Sequence, residues 1–273
     1  MPEGDTIFRA ARTLDRALAG CLVTRFESMF PALNRIDHDH PIVGRTIESV
    51  AARGKHLLIA FSGNLVLHTH MRMNGSWHIY RPAERWQRPA RDMRVLLGTA
   101  RFVAVGFNVP VAEFLAPRDL ARHRALASLG PDPLDASFDR AEALRRLGAR
   151  PRTPIADALL DQRALAGVGN VLKSEILFVS GVDPFTAVGD LPATTLERVI
   201  GAACDLLKAN VLTRAQTLSR ATGRRTTRHL DPAAKLWVYG RGGQGCRQCG
   251  ARIEARKTGV DARLTYWCPR CQR

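Results

Sequence analysis

No stretch of this 273-residue chain approaches the ~20 consecutive apolar residues that a membrane-spanning helix needs. No basic amphipathic segment stands out as a surface anchor either. The start does not read as a secretory signal: Glu3 and Asp5 precede the first apolar run, and Arg9, Arg12 and Arg16 break it. Acidic residues are scarce. Against 41 lysines and arginines stand 25 aspartates and glutamates, a formal net charge of +16. That imbalance calls for a polyanionic partner, and nucleic acid fits it better than a membrane. A GC-rich genome also favours arginine, so charge alone does not decide the matter. Scattered cysteines are missing too. Four of the six fall between positions 246 and 271, which argues against a scattered disulfide framework and makes the reducing cytoplasm the simplest compartment.

What is present is a globular composition, 45% hydrophobic, long enough for one large or two ordinary domains. Ile7, Ala11, Leu14 and Leu18 recur at helical spacing, with Asp5 placed to cap the helix and Gly20 to end it. From about Thr24 to Leu115 the pattern turns to β, with strands expected at 43–50, 55–62, 65–70, 76–80, 93–98 and 102–107. Short apolar runs between Gly-Asn, Arg-Gly and Pro-rich breaks suggest an antiparallel sandwich or barrel. The polar, Pro-broken stretch 81–94 reads as an exposed loop. After a turn cluster at Leu129–Leu134, helices are expected at 139–147, 154–165, 170–179 and 194–212, the last opened by a Thr194/Glu197 capping box. The stretch 213–229 is basic, hydroxyl-rich and without apolar period, fitting a loop over a polyanion or a plain linker.

Several residues carry candidate chemistry. With Met1 removed, as the small Pro2 favours, the chain begins on a secondary amine. A chain terminus titrates near ~8 and a lysine near ~10.4, so the terminus is the better nucleophile at neutral pH. Attack on an anomeric carbon would give an iminium ion, and Glu3 stands next to it to move a proton. Met-Pro-Glu is equally an ordinary start. Arg53-Gly54-Lys55-His56 sets two cations beside a flexible glycine, a phosphate contact or a solvated strand start. His68 and His70 alternate onto one face but lack a third metal ligand, and Met73 in the following turn is core or a wedge for a base stack. Gly167-Val-Gly169-Asn170 joins two helices with main-chain N–H groups at a helix start, an anion site that Lys173 would reinforce one turn on. The tail holds Cys246-x2-Cys249 and Cys268-x2-Cys271, two knuckles at zinc-ribbon spacing. Four thiolates leave no open coordination position, so a single structural zinc is expected. Arg263 sits near the tip of the hairpin between the knuckles.

Together MPEGD, RGKHLL, LAGVGNVLKSEILF and the closing YWCPRCQ resemble the formamidopyrimidine-DNA glycosylase/endonuclease VIII family, in the family's order from Pro2 to Cys271. The resemblance implies a DNA glycosylase with lyase activity. It makes Pro2 the nucleophile at C1′ of a damaged nucleotide, Glu3 its acid/base partner, and Lys55, Asn170 and Arg263 the phosphate contacts around a flipped nucleotide. No redox or metal cofactor takes part in the chemistry. The region 101–108 lacks the DPRRFG-like motif of the oxidised-purine branch, and the start and end lie closer to the endonuclease VIII side, which prefers oxidised pyrimidines. The turn His70–Gly75 also lacks the usual Gln-Leu-Tyr wedge, leaving Met73 and Arg72 as candidate gap-fillers. The alternatives are a purine-directed or abasic-site-directed member, a silent damaged-DNA-binding zinc protein, or, with Met1 retained, a transcription- or ribosome-associated zinc ribbon.

The expected fold class is α+β and multidomain: an N-terminal helix with an antiparallel β-sandwich (1–116), a hinge (117–130), a helix-two-turns-helix domain (131–238) and a C-terminal four-cysteine zinc finger (239–273), with a basic cleft between the domains. The expected partner is damaged DNA, duplex or single-stranded, bound by a monomer in a bacterial cytoplasm.

Overall fold

The computed structural model describes residues 2–212, 224–227, 231, 234–259 and 261–273. It divides into two units, the first ending at Ser128 and the second beginning at Leu129.

The first unit opens with helix α1 (Gly4–Leu18), followed by β1 (Arg25–Ser28), α2 (Pro31–Asp39), β2 (Ile47–Arg53), β3 (His56–Phe61), β4 (Leu65–His70), β5 (Ser76–Tyr80), β6 (Met93–Gly98), β7 (Val103–Phe107) and β8 (Val111–Leu115). Two short helices, α3 (Pro117–Leu120) and α4 (Arg124–Ala127), close it. The strands form two antiparallel four-stranded sheets, ordered β2-β3-β4-β8 and β1-β6-β7-β5. Ile7, Ala11, Leu14 and Leu18, the stripe legible in the sequence, pack with Leu57, Ile59 and Leu67 of one sheet and Trp77, Val95 and Leu97 of the other. Because side chains alternate along a strand, Leu96 points the opposite way from Val95 and Leu97. It joins Tyr80, Val105 and Phe107 under Trp86. The loop read as exposed therefore anchors itself through that tryptophan, and its last two residues, Met93 and Arg94, begin β6.

Asp5 does not cap α1. The helix begins at Gly4, Glu3 holds the cap position without a side-chain cap bond, and Asp5 lies buried in the first turn with Arg9 3.7 Å away. Gly20 ends the helix as expected, at φ +77°. The stretch from about Thr24, read as β in texture, also contains α2, which has Pro31 in its first turn and buries only Leu33 completely.

The second unit holds α5 (Arg140–Gly148), α6 (Ile155–Leu160), α7 (Asn170–Val179), α8 (Ala193–Leu212) and a hairpin of β9 (Glu254–Thr258) and β10 (Arg263–Trp267). Asp139 caps α5 by accepting from the Glu142 N–H at 3.0 Å. The helix expected to run to 165 stops at Leu160. Asp161 leaves the helical region, accepts from the Arg163 N–H at 2.9 Å and takes the Arg150 guanidinium at 2.6 Å, so its carboxylate builds a turn. Thr194 is not the cap of α8 but lies inside it, since the helix begins at Ala193 and the Pro192 carbonyl already accepts the Thr195 and Leu196 N–H groups. The stretch 213–229 lies largely outside the described residues.

Helix α7 is the hub. Its apolar residues Leu172, Ile176 and Leu177 pack with Leu159, Val199, Ala203 and Leu207, while Phe178 packs with Val238, Ile253 and two of the knuckle cysteines. No helix among the described residues is long and apolar enough to cross a membrane.

Candidate active site and nucleic-acid interface

In the first unit the candidate residues gather at one end of a sheet. The Gly20 N–H donates to the Ile47 carbonyl at 2.8 Å, and further along the Val50 N–H donates to Asp15 Oδ1 at 2.8 Å. Later residues of β2 meet earlier residues of α1, so the two elements run antiparallel. From that contact to Glu3 is ~18 Å of helix and to Lys55 is ~16 Å of strand. Pro2 and Glu3 thus lie toward the sheet end that carries the β2–β3 turn. Pro2 is half-buried there and Glu3 is fully buried.

That turn is two residues long, closed by the Arg53–His56 pair, with Gly54 at φ +57° and Lys55 half-buried beside it. His56 pairs with His70, so β4 ends at the same level and hands over to the turn 71–74. Burial, aided by the Arg72 and Lys55 charges, pushes His70 down to about 4. The neutral ring accepts the Arg72 N–H at Nδ1, 3.0 Å away. Met71 is buried beneath the turn, Arg72 is exposed, and Met73 projects with 57% of its surface open. Gly75 returns its N–H to the Met71 carbonyl at 2.9 Å. A Cβ there would stand 2.5 Å from that same oxygen, so only glycine fits.

In the second unit the helical corner differs from its reading as an open anion site. Gly167, Gly169 and Lys173 are all buried. Gln162 closes the corner, accepting from the Gly167 N–H at 3.1 Å and donating Nε2 to the carbonyls of Leu160 and Val168. Lys173 extends away from solvent and donates to Thr265 Oγ1 at 2.8 Å. Spacing along the helix puts Lys173 one turn from the corner, but the β9–β10 hairpin covers the face on which it lies. Asn170 is brought to the hairpin as well, its Nδ2 donating to the Leu264 carbonyl at 3.0 Å. Its buried Oδ1 has no partner among the described residues. Arg263, half-buried, begins β10 next to Leu264, and its Nε reaches Asp261 at 3.3 Å. The corner asparagine and the hairpin arginine are therefore neighbours although 93 positions separate them.

The four knuckle cysteines converge. Cys246 and Cys271 Sγ are 3.9 Å apart and Cys249 and Cys268 Sγ 3.4 Å apart, and all four sulfurs lie within 4.8 Å of one another. Tetrahedral zinc with bonds of ~2.3 Å separates its sulfurs by ~3.8 Å, so the donor set fits a structural zinc.

A residue that sequence reasoning missed is Glu175. It is fully buried on α7, and its carboxylate accepts the main-chain N–H groups of Trp237, Val238 and Tyr239 at 2.8, 2.9 and 2.8 Å together with the Thr226 hydroxyl. A charged residue at helical spacing among apolar ones was its only sequence signal.

Comparison with known proteins matches residues 1–119 to the formamidopyrimidine-DNA glycosylase N-terminal domain, 129–222 to its H2TH domain and 243–273 to the zinc finger found in FPG and IleRS. The chain is 44% identical over its whole length to "Probable endonuclease 8 2" of Streptomyces coelicolor, covering 94% of that protein. It is 38% identical to "DNA-(apurinic or apyrimidinic site) lyase Nei2" of Mycolicibacterium smegmatis, covering 100% of this chain and 99% of the relative. The fold aligns with Lactococcus lactis Fpg in complex with DNA containing an abasic site, at a TM-score of 0.81 and 21% identity over 99% of both chains.

Proposed function

The chain belongs to the formamidopyrimidine-DNA glycosylase/endonuclease VIII family and is a DNA glycosylase/AP lyase, and we propose that it excises oxidised pyrimidines through a Schiff base on Pro2. In this reading Met1 is removed and the Pro2 nitrogen attacks C1′ as the damaged base departs, Glu3 supplying the proton that opens the sugar. The resulting iminium withdraws electrons from C2′. Loss of the C2′ proton expels the 3′ phosphate, a second elimination expels the 5′ phosphate, and water releases the sugar fragment from Pro2. A one-nucleotide gap with phosphate at both ends remains.

The observation that carries this reading is the gathering of Pro2–Glu3, Lys55 and the Arg72–Met73 tip toward one end of the β2-β3-β4-β8 sheet. An amine, a carboxyl group, a phosphate-binding cation and an exposed apolar side chain are what the reaction needs in one place. Lys55 holds the phosphate flanking the lesion, and Met73, with Arg72, fills the gap left by the flipped nucleotide. Asn170 and Arg263 contact phosphate from the second unit. One zinc on Cys246, Cys249, Cys268 and Cys271 holds the hairpin that carries Arg263 and takes no part in bond breaking. The protein acts as a monomer on damaged DNA, in the bacterial cytoplasm.

A second reading, direction toward abasic sites, draws on the turn itself. Arg72-Met73-Asn74 offers one apolar wedge, and a site already lacking its base requires less from the wedge.

Borohydride trapping on duplex and single-stranded oligonucleotides carrying thymine glycol, dihydrouracil, 8-oxoguanine or an abasic site tests both, with intact mass to establish the fate of Met1. An adduct mapping to Pro2, strongest on an oxidised pyrimidine, is expected. Preferential trapping on the abasic site alone selects the second reading. Protein beginning at Pro2 that traps on no substrate overturns the Schiff-base mechanism.

A further inference from the structure

The register of the first sheet sets His68 of β4 directly opposite Glu113 of β8. His68 Nδ1 lies 2.8 Å from Glu113 Oε1, and His123, at the start of α4, brings its Nε2 to 3.0 Å from the same oxygen. The three atoms lie within 4.8 Å of one another. We propose that His68, Glu113 and His123 form a second divalent-metal site, of the zinc class, built into the N-terminal unit and independent of the four cysteines.

Two imidazole nitrogens and one carboxylate oxygen around one point are a donor set that zinc-class cations take. Zinc bonds of ~2.0–2.1 Å in a tetrahedron separate the ligand atoms by ~3.3 Å, so loading requires each histidine nitrogen to part from Glu113 Oε1 by a few tenths of an ångström. The ligands can supply that movement. His68 is held on a central strand, whereas the Glu113 side chain is 40% exposed and His123 is carried by a short terminal helix. The same exposure opens a path for the ion, and three protein ligands leave the fourth position to water.

The outer partner is also present. His68 Nε2 lies 2.8 Å from His56 Nδ1. With a metal on Nδ1, His68 must carry its proton on Nε2, and His56 accepts it, in the place that a carboxylate, a carbonyl or water more often fills behind a metal-bound histidine. Loading trades the two hydrogen bonds to Glu113 Oε1 for metal–ligand bonds and gives up one further, weaker contact. His123 Nδ1 accepts the Leu126 N–H at 3.4 Å, and a metal on Nε2 moves the ring proton to Nδ1, so loading gives up that long contact.

The test is metal stoichiometry of the full chain with its finger loaded, equilibrated with excess zinc and freed of unbound ion. Two ions per chain are expected for the wild type and one for Glu113→Gln and for His123→Ala. His56→Phe should weaken the second ion by about 10–100-fold. Cobalt distinguishes the sites spectroscopically: the cysteine site shows intense thiolate charge transfer, and the second ion adds only weak ligand-field bands. A wild-type chain that saturates at one ion overturns the proposal and leaves the cluster a hydrogen-bonded network. So does a second ion that persists unchanged in both ligand variants.

Discussion

Lys173 and Thr265 meet where no solvent reaches: the ammonium donates to the threonine hydroxyl at 2.8 Å, and both residues are fully buried. Thr265 is in turn 2.6 Å from Thr258 Oγ1, so the lysine ties α7 to both strands of the hairpin. Lys173→Ala takes one donor from the Thr265 hydroxyl and leaves a buried cavity where the side chain lay. A loss of about 3 kcal/mol in unfolding free energy is expected. At a temperature where the variant is folded, its DNA affinity should keep the wild-type salt slope, because this cation does not reach phosphate. Urea denaturation and salt-dependent binding check the two halves.

Glu175→Gln tests the anchor of residues 237–239. Glutamine keeps one acceptor oxygen and turns an amide N–H₂ toward main-chain N–H donors, which then lose their partner. A loss of about 2–3 kcal/mol is expected, measured by thermal unfolding with the finger loaded. Glu175→Leu should be at least as damaging, since it satisfies none of the four donors.

Gly75→Ala and Met73→Ala separate the shape of the turn after β4 from the side chain at its tip. The alanine Cβ at 75 meets main-chain atoms of Met71 at 2.5 and 2.8 Å, and main chain cannot swing aside. Gly75→Ala should cost about 1–3 kcal/mol and weaken trapping on duplex substrates. Met73 is exposed, so Met73→Ala should leave stability within about 0.5 kcal/mol while trapping on duplex falls and trapping on single strands holds. Equal loss on both substrates would remove Met73 from the wedge role.

Arg263→Ala and Asn170→Ala should differ in how binding responds to salt. If Arg263 meets a phosphate as proposed, its removal should lower the slope of log K against log salt by ~0.9. Asparagine carries no charge, and its loss should weaken binding with the slope unchanged. Fluorescence anisotropy from low to physiological salt separates them.

The strands 65–70, 76–80 and 93–98 were legible to the residue, since each is an apolar run bounded by Gly, Asn or Pro that cannot continue it. Helix α7 was legible for the same reason, with Gly169 before it. What spacing cannot give is the covering of a face. Lys173 looked free because only its own helix was in view, and the hairpin that buries it lies 90 residues downstream. The β8 strand, hidden behind Pro110, was missed, and with it the pairing that sets Glu113 against His68. Helix α2 escaped because a nine-residue helix with one fully buried side chain carries little periodic signal.

The dependence of α7 on the hairpin also has a consequence during synthesis. A ribosome adding ~5–20 residues per second needs ~5–20 s to travel from α7 to β10. Through that interval the nascent helix carries an ammonium and a hydroxyl whose partners at Thr265 and Tyr266 have not been made, and for the first two thirds of it a carboxylate that still lacks residues 237–239. The helical unit therefore cannot settle as it emerges and must wait for the finger. Slowing translation across residues 180–260 should lengthen the protease-sensitive life of this unit and spare the sheets made before it.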